Sequence, residues 1–393
     1  MRIDFVSARS ILDTRGRATV ETTLSAGMFS ATASVPSGKS TGSHEACELR
    51  DADGSVASAV ANVNGEIAQA FRDCDFASAD EVDALLIALD GTPEKSRLGA
   101  NALLAVSIAA TRLFAQVEEI PLWRAIAARG GFTATAPRLY INMMNGGVHA
   151  GFKLPFQEYL LVIEGKTSDA LPIAREAFAK LGERLGSVSM GDEGGYAPTF
   201  DTLEKPFELL AGLVQEFPHT SIAIDAAASE LYRDGAYHLL GKPYSAEELS
   251  ALYRELVERF SLYSIEDPFD EESADDFSRL TALLGEKILI IGDDLTVTNP
   301  ARIKEAAERK EINAVLIKPN QIGTVREAIQ AVQATYAEDF VAVASHRSGE
   351  TDDTFIADFA YGIGAHGIKA GGLAQPERLA KYERLLEIEH EAS

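Results

Sequence analysis

The chain has 393 residues, with 60 acidic against 36 basic side chains and a formal net charge of −24. That length suits a barrel of about 250 residues plus a second domain. The acidic balance argues against nucleic acid or an anionic membrane as the main partner, since both need a cationic footprint, so an anionic substrate must be met by local cations or metal ions.

Cys47 and Cys74 are the only cysteines and show no metal-ligand spacing, which fits a reducing cytosol. No leader-like N-terminal pattern and no apolar run of about 18 residues is evident, so a cytoplasmic protein that does not span a membrane is expected.

Residues 3 to 35 alternate β-prone runs with turns and predict an antiparallel meander. Residues 36–44, rich in Ser and Gly with little apolar anchorage, predict a mobile loop that either connects or covers a site. They lack the upstream glycine of a phosphate-binding P-loop. Ser78 and Glu81 form a capping-box pattern ahead of a helix, and Leu98 to Phe114, apolar on nearly all faces, predicts a helix buried between two domains. Pro121, Gly130, Gly131 and Pro137 mark a boundary, giving a cap of residues 1–130 and a second domain of residues 131–393. Beyond it, Leu139–Asn142 and Phe156–Ile163 read as strands, Asp169 to Leu185 as a helix, and Gly191 to Pro198 as a glycine-rich turn carrying Asp192 and Glu193. Helices are expected after Ser245, after Asn299 and from Pro376.

The C-terminal half carries a ladder of short apolar runs with polar ends. Successive runs end in Asp225, Glu266, Asp293 and Lys318; the next leads to Ser345-His346-Arg347, and the last ends in Lys369. Such runs, separated by helix-length segments, read as a parallel sheet buried on both faces. Closed into a barrel, it would bring the strand ends to one rim. Singly each acid is an ordinary strand-end residue, but three carboxylates followed by two lysines suit metal binding and acid/base chemistry, and Mg²⁺ takes hard oxygen ligands of this kind.

The surrounding motifs resemble enolase (phosphopyruvate hydratase) over almost the whole chain. They are Ala8 to Gly16, Val35 to Glu45, Leu98 to Ala102, Asn145 to Gly151, Gln157-Glu158, Gly191 to Pro198, Ser264 to Phe269, Gly292 to Asn299, Lys318 to Thr324 and Ser345 to Thr351. The resemblance implies an enolase-type modified TIM barrel, an α/β barrel with irregular first strands, behind an N-terminal α+β cap domain. It also implies Mg²⁺-dependent reversible dehydration of 2-phosphoglycerate, a small phosphorylated hydroxy acid, to phosphoenolpyruvate. By the same resemblance Lys318 is the base and Glu193 the acid. A lysine base with one or two Mg²⁺ ions is the established pattern of the superfamily. The base needs a lowered pKa, expected from Mg²⁺ and Lys369, and the acid a raised one, expected from neighbouring acids such as Glu158. One Mg²⁺ is expected on Asp225, Glu266 and Asp293, and a second arriving with substrate and using Ser40. Arg347 and Ser348 would hold the phosphate, Lys369 the substrate carboxylate, with His149 approaching from a second lid and His346 supporting the site.

Several positions depart from the family pattern. Arg17-Ala18 replaces a usual Asn-Pro, Lys39 stands where a small residue is common, and the segment before Gly191 is shorter than usual. Ala370 to Gln375 lacks the usual Thr-Gly and later Arg. Glu387 replaces an arginine that in the family meets a residue matching Glu21 across the subunit interface, so a homodimer or higher homo-oligomer is expected with an altered contact. Two alternatives compete with the glycolytic reading. One is a paralogue acting on a related enol phosphate or phosphonate, as carboxyphosphonoenolpyruvate synthase does; the other is a non-catalytic binding protein, which intact Glu193, Lys318 and the three acids argue against.

Overall fold

The computed structural model describes residues 1–39 and 42–392. Strands β1 (Phe5–Leu12), β2 (Ala18–Ala26) and β3 (Phe29–Ser34) form the expected antiparallel meander. In β2, Val20, Thr22, Leu24 and Ala26 are buried while Glu21, Thr23 and Ser25 are half-buried, the period-two pattern of a sheet with one covered face. The cover is the helix Ala100–Val117, which packs on β2 and β3. It is long and apolar enough to cross a membrane, but 83% of it is buried inside the protein. Alanines at 102, 105, 109 and 110, all buried, leave little side-chain bulk between this helix and its neighbours.

Around the expected domain boundary lies a helix that periodicity did not reveal, Leu122–Gly130, closed by Gly131 at φ +70°. Its Trp123 meets Tyr361 edge-on at 5.2 Å. Tertiary packing, rather than a long apolar stripe, explains this short helix.

The barrel strands are β4 (Arg138–Asn145), β5 (Glu158–Ile163) and β6 (Thr220–Asp225). A small antiparallel sheet follows, β7 (Tyr232–Arg233), β8 (Ala236–Leu239) and β9 (Lys242–Tyr244). The barrel resumes with β10 (Leu262–Glu266), β11 (Leu289–Gly292), β12 (Ala314–Ile317), β13 (Val341–Ser345) and β14 (Gly367–Lys369). It closes in the order β4-β5-β6-β10-β11-β12-β13-β14. The later strands are parallel, as the ladder predicts, whereas β5 runs antiparallel to both β4 and β6. The connection between β4 and β5 carries only a 3₁₀ turn, Gly147–Ala150, and no crossover helix of the kind that usually joins parallel strands.

The predicted helix starts are present. Ser245 and Glu248 make a reciprocal capping box for Ala246–Phe260, the Ser78 hydroxyl accepts from the Glu81 backbone, and Asn299 caps Pro300–Glu308. The buried face of Ala246–Phe260 is Leu249, Tyr253, Leu256 and Val257.

Candidate active site

The reversal of β5 brings a carboxylate to the rim from an unexpected direction. Glu158 is the first residue of β5, and because that strand runs backwards its first residue lies where the parallel strands end. In register, Glu158 pairs with Asp225 and Asp225 with Glu266, so three acids occupy one rung across three strands. All are buried, and one oxygen from each lies within 4.8 Å of the others. Lys369, at the end of β14, reaches the same point. Its Nζ is 2.5 Å from Glu158, 3.0 Å from Asp225 and 2.8 Å from Glu266. Burial would raise the pKa of Glu158, but the Lys369 ammonium and His346 override it and hold the carboxyl well below its usual range. Burial and the adjacent Asp225 push Glu266 the other way.

Asp293 does not join that group of oxygens; it falls in a second acidic cluster with Asp267 and Asp294. Asp267 accepts from the backbone N–H of both Asp293 and Asp294 at 2.8 Å, which fixes the turn after β11. The Asp293 carboxylate accepts from Lys318 Nζ and, at 2.9 Å, from Gln321 Nε2. The Lys318 pKa accordingly differs from the sequence expectation. Burial, the largest influence, lowers it, but the charges of Asp293 and Glu266 together oppose this and leave it above the usual lysine value. The expected depression would require Asp293 to be engaged elsewhere.

Glu193 sits in the glycine-rich turn, whose Gly194 has φ +79°. Asn142 Nδ2 and Asn145 Nδ2 donate to Glu193 Oε2 at 3.1 and 3.0 Å, and Asn142 also donates to Glu158 at 2.8 Å. His149 Nε2 lies 3.5 Å from Glu193, and its Nδ1 lies 3.6 Å from Asp192. Burial, then the charge of Glu158, raises Glu193 to about 7, so a protonated carboxyl is available near neutral pH. Burial and then the Arg378 guanidinium push His346 down to about 3, keeping it neutral. Arg378, wholly buried on the terminal helix Pro376–Ala392, donates to His346 Nδ1 and to the carbonyl oxygens of Arg347, Ser348 and Asp192.

Arg347 donates to both Glu45 oxygens at 2.9 Å, and Ser348 Oγ accepts from Arg15 Nη1 at 3.0 Å. Glu45 therefore occupies the donor fork expected to receive phosphate. A small polar cavity is lined by His149, Gln157, Glu193, Asp225, Lys318, Ser345, His346, Arg347, Ser348 and Lys369, which brings the expected acid, base and anion-binding groups together. Ser40 lies outside the described residues.

The donor set fits a hard divalent cation. Three buried carboxylates converge on the Lys369 ammonium, and Gln157 Oε1 is a buried oxygen with no hydrogen-bond donor although its Nε2 donates to Asp225. Sequence reading gave no role to Asn142, Asn145, Gln157, Gln321, Glu45 or Arg378. Glu45, Asn145, Gln157 and Gln321 stand inside recognisable motifs, which was a usable signal. Arg378 looks like any helix-surface cation, and only its burial singles it out.

An acid near neutrality and a lysine beside clustered carboxylates meet on one barrel rim, a set suited to general acid–base chemistry. Residues 3–126 match the family model for the enolase N-terminal domain and residues 133–393 that for the enolase C-terminal TIM barrel domain. A relative named enolase from Methanopyrus kandleri is 42% identical, covering 99% of this chain and 96% of the relative. Relatives of the same name from Methanocaldococcus jannaschii and Thermococcus gammatolerans are also 42% identical, covering 98% and 99% of this chain. The chain belongs to the enolase family, and its enzyme class is that of a hydro-lyase.

Proposed function

We propose that the chain catalyses the Mg²⁺-dependent, reversible dehydration of 2-phosphoglycerate to phosphoenolpyruvate, as a cytoplasmic enzyme of glycolysis and gluconeogenesis. The observation that carries this reading is the meeting of Glu193, raised to about 7, and Lys318 in one polar cavity. The full-length likeness to proteins named enolase supports it.

In this reading Lys318, parted from Asp293 and with its own proton given up to solvent, takes the proton from C2 as a neutral amine, since the Asp293 pair otherwise keeps it charged. Glu193 gives its proton to the C3 hydroxyl, which leaves as water as the C2–C3 double bond forms. Asn142 and Asn145 aim the carboxyl, and Glu158 sustains its raised pKa. Arg347, freed from Glu45, binds the phosphate together with Ser348; Lys369 faces the substrate carboxylate. Asp225, Glu266 and Asp293 would hold the first Mg²⁺, and Ser40 would serve a second that enters with substrate. When bound, the ions supply the concentrated positive charge that a doubly anionic carboxylate needs.

The proposal includes a division into a cap of residues 1–130 and a barrel of residues 131–393. It also includes a homodimer or higher homo-oligomer. Glu21 and Glu387, expected to oppose each other across that contact, have arginine partners in their own chain, Arg9 at 2.5 Å and Arg384 at 2.9 Å, which softens the repulsion. A steady-state assay with 2-phosphoglycerate and Mg²⁺ tests the activity: growth of an ultraviolet-absorbing enol product is expected. None at high enzyme concentration would turn the reading towards a related enol phosphonate.

A further inference from the structure

Arg378 has no role in the chemistry proposed above, and local helix stability does not account for its place. It is wholly buried in the first turn of the helix Pro376–Ala392, where the helix dipole disfavours a cation. A buried charge is costly unless paired, yet among the described residues none of its hydrogen-bond acceptors is a carboxylate. What the guanidinium does have is an acceptor for every N–H it carries. Nη1 donates to His346 Nδ1 and, at 3.1 Å, to the Arg347 carbonyl oxygen. Nη2 donates to the carbonyl oxygens of Ser348 at 2.9 Å and Asp192 at 3.2 Å, and Nε donates to Gln375 Oε1 at 2.8 Å.

Two neighbours keep this fork in place. Gln375 Nε2 donates to the same Asp192 carbonyl at 3.3 Å, so one amide receives the guanidinium and shares its target. Gly371, at φ +91°, clears the route, since a Cβ there would stand 2.2 Å from Arg378 Cδ. The peptide units that are held border the proposed reacting groups. The Asp192 carbonyl belongs to the peptide that supplies the Glu193 N–H, and the Arg347 and Ser348 carbonyls belong to the peptides on either side of Ser348. The contact with His346 also selects a tautomer. A guanidinium only donates, so Nδ1 must offer its lone pair and the proton of the neutral ring sits on Nε2, which lies 3.6 Å from Glu158 Oε1.

We propose that Arg378 is a positioning residue whose fork holds the Glu193 turn, the Arg347–Ser348 segment and one tautomer of His346 in a single arrangement, fixing the spacing between acid and phosphate-binding groups. Its kinetic consequence rests on the proposed reaction; its geometry does not. Shape rather than charge carries the role, because a lysine keeps the charge but has fewer donors and no fixed plane.

Nitrogen NMR of the full-length parent chain labelled in histidine gives the first test, with the His346 signal assigned by its loss in His346→Gln. His346 is expected to carry its proton on Nε2 and none on Nδ1 near neutral pH. A proton on Nδ1 overturns the arrangement without any change to Arg378. Full-length Arg378→Lys and Gln375→Met give the second test, assayed well below their melting temperatures. Arg378→Lys should lower kcat about 10²-fold, the effect of a displacement of about 1 Å at the reacting groups, and let the His346 proton spread over both ring nitrogens. Gln375→Met, at a half-buried position, should lower kcat about fivefold through the loss of the acceptor at Nε. Parent-like kcat in either variant overturns the proposal, as does a loss of kcat in Arg378→Lys with the His346 proton still wholly on Nε2. Should Arg378→Lys fail to fold, the parent spectrum and Gln375→Met decide. If the parent chain does not turn over 2-phosphoglycerate, the proposed reaction falls, while the His346 spectra still judge whether the guanidinium sets the site.

Discussion

The two sides of the cavity are built differently. Asp225, Glu266 and Lys369 are the terminal residues of β6, β10 and β14, so the hydrogen-bonded register of the barrel sets their places. Glu193, His149 and Asp192 stand on turns, held by side-chain and backbone contacts from Asn142, Asn145 and Arg378. The strand-borne side is a dense set of opposite charges, each compensated by a neighbour. The loop-borne side holds a carboxyl whose usefulness depends on being uncompensated, because a cation in contact would drive its pKa back down. Rigid register suits charges that must face one another; separately supported turns suit a group that must remain apart.

Variants can sharpen or break that contrast. The largest effect is expected on the strand-borne side: Lys318→Ala should reduce kcat by about 10³- to 10⁴-fold while leaving Mg²⁺-dependent substrate binding within about threefold, measured by steady-state kinetics and calorimetry. Near-normal turnover would remove Lys318 as the base. Glu193→Gln should cost about 10²- to 10³-fold in the dehydration direction.

The pH dependence carries a sign. Glu193 is raised from 4.5 to about 7, so its protonated form is favoured by folding; its contribution to stability is complete below about 4.5 and lost as pH rises through about 7. Dehydration in the parent chain should therefore fall on the alkaline side with an apparent pKa of about 7, and this limb should be absent from the residual activity of Glu193→Gln. Next in size, Asp225→Asn should raise the Mg²⁺ concentration needed for half-maximal activity by about 10- to 100-fold, read by metal titration. An unchanged requirement would take Asp225 out of the proposed ligand set.

The smallest expected effect tests the support of the loop-borne side. A Cβ on Gly372 would stand 2.2 Å from the Gly194 carbonyl oxygen, so Gly372→Ala must push on the turn that carries Glu193. A loss of about 1–3 kcal/mol in stability and a reduction of about tenfold in kcat are expected, by thermal melts and kinetics. Loss of stability without loss of kcat would mean that the turn tolerates displacement of its glycine.

Much of the strand-borne side was legible in the sequence. A residue that ends a short apolar run between helix-length segments has little freedom: the run must be buried, the helix must cross over, and the polar end must emerge at the rim. The same logic made the caps at Ser78, Ser245 and Asn299 readable, since each pattern satisfies its own backbone donors locally. Glu193 could be singled out only as an acid in a glycine-rich turn and by its motif, because nothing near it in sequence says which asparagines will reach it or that Glu158 will raise its pKa.

What the sequence determined by itself was therefore the barrel alternation, the capped helices, the burial of the Leu98–Phe114 helix and the polar strand ends, all written in periodicities shorter than one element; that this helix covers the sheet of the cap was decided by the tertiary structure. Only the tertiary structure decided that β5 runs backwards and places Glu158 on the rung of Asp225 and Glu266, that Lys369 closes onto all three, that Asp293 pairs with Lys318, and that Arg378 is buried beneath His346. These are contacts between residues far apart in the chain, and a buried charge acquires its pKa and its partner only when the strands carrying them have met.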